Sequence, residues 1–231
     1  MLNGISYYYS TLSTGNLTLA VEYYEQSISM LRRLDGISRE LAAGYNNLGF
    51  SYRNMDDYVN ATENLRKAVN IMGTLSDRSD GMVVSLRNYA MLIFSNDGNA
   101  TRALSLLDEA YRIRAQIGLK HHYTAMIQCA RGRVQLSLEQ FHRAAESFEE
   151  GVDIMQQEEG VYPVPIASVL YLWGVALKNL GRLEEAERRL TKSLKISEKV
   201  AKDNGIPSEK DNNVKDALRE LGEVKHMMGR R

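Results

Sequence analysis

Apolar residues along this chain recur at helical rather than alternating spacing. Tyr45, Leu48 and Tyr52 form one stripe, and Leu170, Trp173 and Leu177 form another, in steps of three and four that line one helix face. Alternating runs of Val, Ile and Thr, the mark of half-buried strands, do not occur. Prolines stand only at positions 163, 165 and 207. The chain therefore reads as all-α. Polar clusters punctuate the stripes: Met55-Asp56-Asp57, Asn96-Asp97-Gly98 and Leu180-Gly181-Arg182 predict tight turns between paired helices.

The stripes also repeat. The offsets of Gly49, Tyr58, Ala61, Leu65 and Ala68 recur at Gly174, Leu183, Ala186, Leu190 and Ser193, and again at Gly132, Phe141, Ala144, Phe148 and Gly151. A looser copy runs through Ala90, Ala103, Leu107 and Ala110, with one extra residue in its turn. A weaker first copy has Leu17, Ala20, Tyr24 and Ser27, with Tyr8 in the glycine's place. The alanines fall at 20, 61, 103, 144 and 186, a spacing that alternates between 41 and 42 residues. A half copy, DALRELGEV, follows near the C-terminus.

Each unit reads as a helix A, a tight turn and a longer helix B. Glycine inside a helix costs about 1 kcal/mol relative to alanine, so Gly49, Gly132 and Gly174 need a packing reason. They supply it together with Ala61, Ala103, Ala144 and Ala186 if A and B cross so closely that a side chain would overpack the crossing. The predicted units span approximately 1–35, 39–75, 81–117, 122–158 and 165–203, with a capping helix at 212–229 in one continuous array over 1–231. The polar stretch Ser197 to Asn212 reads as the connection to that cap, with Asn204-Gly205 stopping the preceding helix.

Tyr45, Leu48, Gly49, Tyr52, Ala61, Leu65 and Ala68, like Leu170, Trp173, Gly174, Leu177, Ala186 and Leu190, resemble the tetratricopeptide repeat signature. The resemblance extends over nearly the whole chain. It implies a right-handed superhelix, an α-solenoid of about five helix pairs plus a capping helix. The family's usual period is about 34 residues. The longer period here is similar to that of kinesin light chain and the Leu-Gly-Asn-repeat adaptors, and to helical sensor domains of large bacterial transcription regulators. The family's proline at the repeat boundary is missing from most copies.

Composition narrows the chemistry. Lys+Arg and Asp+Glu are equal at 29 each, which argues against nucleic acid and anionic membrane surfaces as partners. One cysteine, Cys129, permits no internal disulfide and suits a reducing compartment, so the expected location is intracellular, the cytoplasm first. No secretory signal or membrane-spanning run is read in the sequence. Phosphate loops, dinucleotide fingerprints, HExxH and nucleophile elbows are all missing. His121-His122 has no Cys or carboxylate at ligand spacing and reads as a solvated turn; Glu158-Glu159 and Glu184-Glu185 read as solvated helix faces. No enzyme, metal or cofactor is expected.

The resemblance implies that the A helices line a concave groove. Residues flanking their stripes are then its candidate peptide contacts: Asn46, Asn47, Phe50, Arg53 and Asn54 in repeat two; Arg87, Asn88, Met91 and Phe94 in repeat three; Arg133 beside Cys129 in repeat four; Tyr171, Lys178 and Asn179 in repeat five. Asparagine can clasp a peptide backbone and arginine a carboxylate. The expectation is a protein-interaction scaffold or adaptor that binds a short acidic peptide of a partner protein. Ile5 and Tyr9 stand where the chaperone-binding clamp of the family needs polar residues, which disfavours that partner. The uncapped first repeat, with Tyr7, Tyr8 and Tyr9, carries the alternative: a sensor, regulatory or oligomerisation segment of a larger signalling or transcription-regulatory protein, self-associating through its N-terminal end.

Overall fold

A computed structural model of the protein describes residues 17–34, 36–118, 122–157 and 166–229. The expectations resting on Tyr7 to Tyr9, Pro163, Pro165, His121 and Glu158-Glu159 lie outside these residues. Within the described residues every regular element is an α-helix. These are α1 (Leu17–Leu34), α2 (Arg39–Asn54), α3 (Tyr58–Thr74), α4 (Asp80–Asp97), α5 (Ala100–Ile117), α6 (His122–Ser137), α7 (Phe141–Gln157), α8 (Ile166–Asn179), α9 (Leu183–Asp203) and α10 (Asn212–Met227). No described helix is long and apolar enough to cross a membrane. Helix α9 takes up Ser197 to Asp203, so the polar connection to α10 is shorter than the sequence suggests.

Polar side chains start many of these helices. Ser38, Asp57, Ser79, Asn99 and Asp211 each accept a hydrogen bond from a backbone N–H of the first turn, at 3.0 to 3.2 Å. Each satisfies a donor that the helix itself leaves open. The turns within the pairs share a left-handed residue: Asp56, Gly98, Glu139 and Gly181, with φ between 57° and 74°. That residue lets the N–H of Asp57, Gln140 and Arg182 reach back to the carbonyls of Tyr52, Gln135 and Leu177 at 2.9 to 3.0 Å, which closes the preceding helix.

Two compact units result, residues 1–119 and 120–231. In the first, α2 packs with α3 and α4 with α5, and α4 also touches α2. Its core joins Tyr24 and Ile28 to Leu41, Tyr45 and Leu48, and Leu65 to Tyr89, Leu92 and Ile93. In the second, α6 packs with α7 and α8 with α9, while α8 touches α6 on one side and α10 on the other. Trp173, Phe148, Leu190 and Leu221 share its core.

The glycine crossings leave no room for a Cβ inside the pairs. A Cβ at Gly49 would lie 2.8 Å from Leu65 Cγ and 3.1 Å from the Ala61 carbonyl oxygen. At Gly174 it would lie 2.6 Å from Leu190 Cγ, and at Gly132 2.7 Å from the Phe148 ring. Ala61, Ala103, Ala144 and Ala186 are fully buried. Gly222, inside α10, has open space where its Cβ would be. Gly222→Ala should therefore gain the helix-propensity difference, up to about 1 kcal/mol. Gly49→Ala and Gly174→Ala should each lose about 1–3 kcal/mol despite the same gain, because the clash with backbone and core leucine outweighs it. Urea unfolding of the three variants decides this; destabilisation of Gly222→Ala to match the other two would contradict the crossing geometry.

Candidate functional site

The A-type helices of the first unit, α2 and α4, meet through polar side chains one repeat period apart. Asn88 Nδ2 donates to Asn46 Oδ1 at 3.0 Å, Asn46 Nδ2 donates to Asn47 Oδ1 at 3.2 Å, and Arg87 Nη1 donates to Asn88 Oδ1 at 3.1 Å. Asn46 and Asn88 are only 8% and 7% exposed, so these amides hold the two helices in register from inside the seam. Their hydrogen-bonding groups face each other and their neighbours rather than solvent.

A second polar link sits at the N-terminal ends. The Asp77 carboxylate, fully buried in the turn before α4, bonds Arg39 at the start of α2 and accepts from the Ser79 N–H at 2.6 Å. Burial pushes its pKa up, but the bonds from Ser79 and Arg39 outweigh that and hold it below the ordinary 3.8. Arg114, buried at the end of α5, reaches Asp80 at 2.6 Å and ties α5 to the same end of α4.

With the asparagines engaged, other side chains define the accessible α2–α4 face. Asn47, Phe50, Arg53, Arg87 and Phe94 are half-buried, Asn54 is exposed, and Met91 lies at the edge of the core. The Arg53 guanidinium sits 5.5 Å from the Phe50 ring centroid. No hydrogen bond or ion pair joins it to a described residue.

In the second unit the outcome differs. Lys178 Nζ donates to Glu220 at 2.6 Å and to Glu223 at 2.5 Å, both on α10. Burial pushes this ammonium's pKa down, and the two carboxylates more than offset it, holding it above the ordinary 10.5. Burial and the nearby Glu220 and Asp216 of α10 raise the pKa of the Tyr171 hydroxyl, against the opposing influence of Arg219. Helix α10 thus engages Lys178 and lies beside Tyr171, two of the three α8 residues that the sequence marks as groove contacts. Arg133 is exposed on α6; Asn179 is exposed too and donates back to the Val175 carbonyl. Cys129 is buried beside Gly151.

Sequence reasoning misses the partners of several of these groups. Tyr52 donates to Glu25 at 2.8 Å, and burial together with that carboxylate pushes its hydroxyl up to about 12. Arg131 donates to Gln128, and Gln128 to Glu150. One of the missed pairs had a legible signal: Asn46 and Asn88 are separated by 42 residues, the repeat period itself. Among the described residues no group of three or more His, Cys, Asp or Glu side chains could hold a metal ion.

Asn46→Ala should cost about 1–3 kcal/mol, since it strands the buried Asn88 amide. In a double-mutant cycle the Asn46→Leu/Asn88→Leu pair should lose less than the sum of its singles; strict additivity would show that the amides do not couple α2 to α4. Asp77 has a depressed folded-state pKa, so its contribution is present above the unfolded value of 3.8 and lost as pH falls through the lower folded value. Between about pH 5 and pH 2 wild type should lose more stability than Asp77→Asn. Parallel acid limbs in the two denaturation profiles would remove Asp77 from this role.

The fold has solved counterparts. BtubC (BKLC) of P. vanneervenii superposes with a TM-score of 0.69 at 20% identity, over 92% of this chain and 84% of that one. A Podospora anserina protein of nearly identical TPR-like repeats, assigned to kinesin light chain, gives 0.68 at 20% identity, over 87% and 95%. A signal-transduction ATPase from Pyrococcus horikoshii with a tetratricopeptide repeat sensor gives 0.71 at 14% identity, over 100% of this chain and 33% of that one. At these identities the likeness is one of fold. No curated protein matches the chain in sequence. One tetratricopeptide repeat model matches residues 40–114 and 82–157, and a second matches residues 167–200. Such repeats are a protein–protein interaction scaffold. With well over half its length matched, this chain belongs to the tetratricopeptide repeat family.

Proposed function

We propose that the protein is a non-enzymatic interaction scaffold whose α2–α4 face takes a short acidic peptide segment of a partner. One comparison inside the chain carries this reading. Arg53 and Lys178 stand at the same offset after their crossing glycines, Gly49 and Gly174. Lys178 is met by two carboxylates from the next A-type helix, Glu220 and Glu223. No ion pair joins Arg53 to a described carboxylate, and the Phe50 ring is the group set against its guanidinium. A partner that places Asp or Glu on Arg53 would repeat a contact the chain already makes with itself.

The surroundings suit such a segment. Phe50 holds the guanidinium from one side, which limits the conformational freedom lost on binding. Asn47 and Asn54 are placed to bond a peptide backbone, Phe94 and Met91 to contact its apolar residues, and Arg87 adds a second cation. In the second unit the exposed Arg133 and Asn179 are the proposed contacts; Tyr171 is half-buried and Lys178 is already held by the carboxylates of α10. The single cysteine is consistent with action in the cytoplasm.

An array of immobilised peptides of graded charge tests this. Acid-rich peptides should retain wild type, and Arg53→Glu should bind them about tenfold more weakly with unchanged helical circular dichroism. Undiminished retention of the variant would move the site away from this face.

A further inference from the structure

The first unit carries a second cleft, on the other side of α2. At 100° per residue, Leu41, Tyr45 and Leu48 lie roughly opposite Asn46, Phe50 and Arg53 on that helix. Tyr45 and Leu48 floor a cleft of about 510 Å³ whose other wall is α1, with Ile28, Ser29, Arg32 and Arg33. A smaller cleft of about 370 Å³ adjoins it and shares Arg32 and Tyr45, with Lys67 and Asn70 of α3 on its far wall. The two form one trough running across α2 between the B-type helices α1 and α3.

Charge in the trough is unbalanced. Its one carboxylate on the α1 wall, Glu25, accepts the Tyr52 hydrogen bond. Lys67 pairs with Glu63 at 2.6 Å and lies 5.5 Å from the Tyr45 ring centroid. Arg32 and Arg33 have no hydrogen bond or ion pair to any described residue. Cations at the last turn of α1 complement the helix dipole by themselves, but that does not account for the apolar floor beneath them. Ile28, Tyr45 and Leu48 are each at least nine-tenths buried, yet reach the cleft surface.

We propose that this trough is a second protein-docking site, which takes an acidic segment of a partner chain with one apolar side chain. The apolar residue sits on Ile28 and Leu48, and the flanking carboxylates bond Arg32 and Arg33. Bidentate arginine–carboxylate contacts orient the segment, and the buried floor selects against a purely polar one. The scaffold then has two acid-recognising faces, back to back on α2, able to hold two partners or two segments of one.

A fluorescein-labelled peptide, Glu-Glu-Glu-Leu-Glu-Glu-Glu, provides the probe, read by anisotropy on the full chain. In an Arg53→Glu background, which removes the face proposed above, one equivalent should still bind. That binding should weaken at least about tenfold on adding Arg32→Glu and Arg33→Glu, and an all-Glu peptide should bind more weakly than the leucine-bearing one. Loss of all binding with Arg53→Glu alone overturns the second site and leaves the first standing. Loss of all binding with Arg32→Glu/Arg33→Glu alone supports the trough and removes the first face. Equal binding of the two peptides reduces the contact to unspecific charge and overturns the proposal. So does a dimer in sedimentation that the arginine reversals dissolve, since a second copy would then fill the trough. Thermal unfolding of each variant shows that it remains folded, as expected for exposed arginines.

Discussion

Close approach of paired helices is the constraint on which the rest depends. In three of the pairs a glycine on the first helix faces a large core residue on the second: Gly49 on Leu65, Gly132 on Phe148, Gly174 on Leu190. With no Cβ in the way, the large residue fills the crossing and the helices share one interior. This sets the angle and depth of each pair, and hence which residues of the first helix remain outside. The groups flanking the glycine, such as Phe50, Arg53 and Lys178, owe their position to an atom that is missing.

Polar contacts then join pair to pair. A hydrogen bond between neutral amides adds only about 1 kcal/mol net, but a stranded one costs more. The Asn46–Asn88 pair therefore specifies register more than it adds stability. Asp77 does the same between pairs at the helix ends, and Arg114 ties α5 to α4 within one, where buried charge is held only with a partner. In the second unit the equivalent seam is ionic, through Lys178 and its two glutamates. The same face thus serves two purposes: where the chain supplies the carboxylate it makes a cap, and where it does not, it leaves a recognition surface.

Seen this way, α2 is the most connected helix of the first unit. One side meets α4 through asparagine, its interior meets α3 through glycine and leucine, and its far side floors the trough under Arg32 and Arg33. A scaffold built from such helices can present more than one binding surface without enlarging its core, because each helix is buried on only part of its circumference.

Much of this was written in the sequence. Period, helix pairing, turn positions and the crossing glycines are local or periodic properties, and residue spacing reports them directly. The tetratricopeptide signature at Tyr45–Ala68 and Leu170–Leu190 followed from the same spacing. Tertiary structure alone decided which polar residues are accessible. Asn46 and Asn47 are neighbours of the same type, yet one is locked to Asn88 inside the seam and the other is half exposed. Lys178 and Arg53 occupy equivalent positions, yet only one meets carboxylates, because these come from a helix more than 40 residues away. Periodicity marks the face a side chain takes; what stands opposite depends on how successive pairs pack, a contact between distant segments that no local pattern encodes.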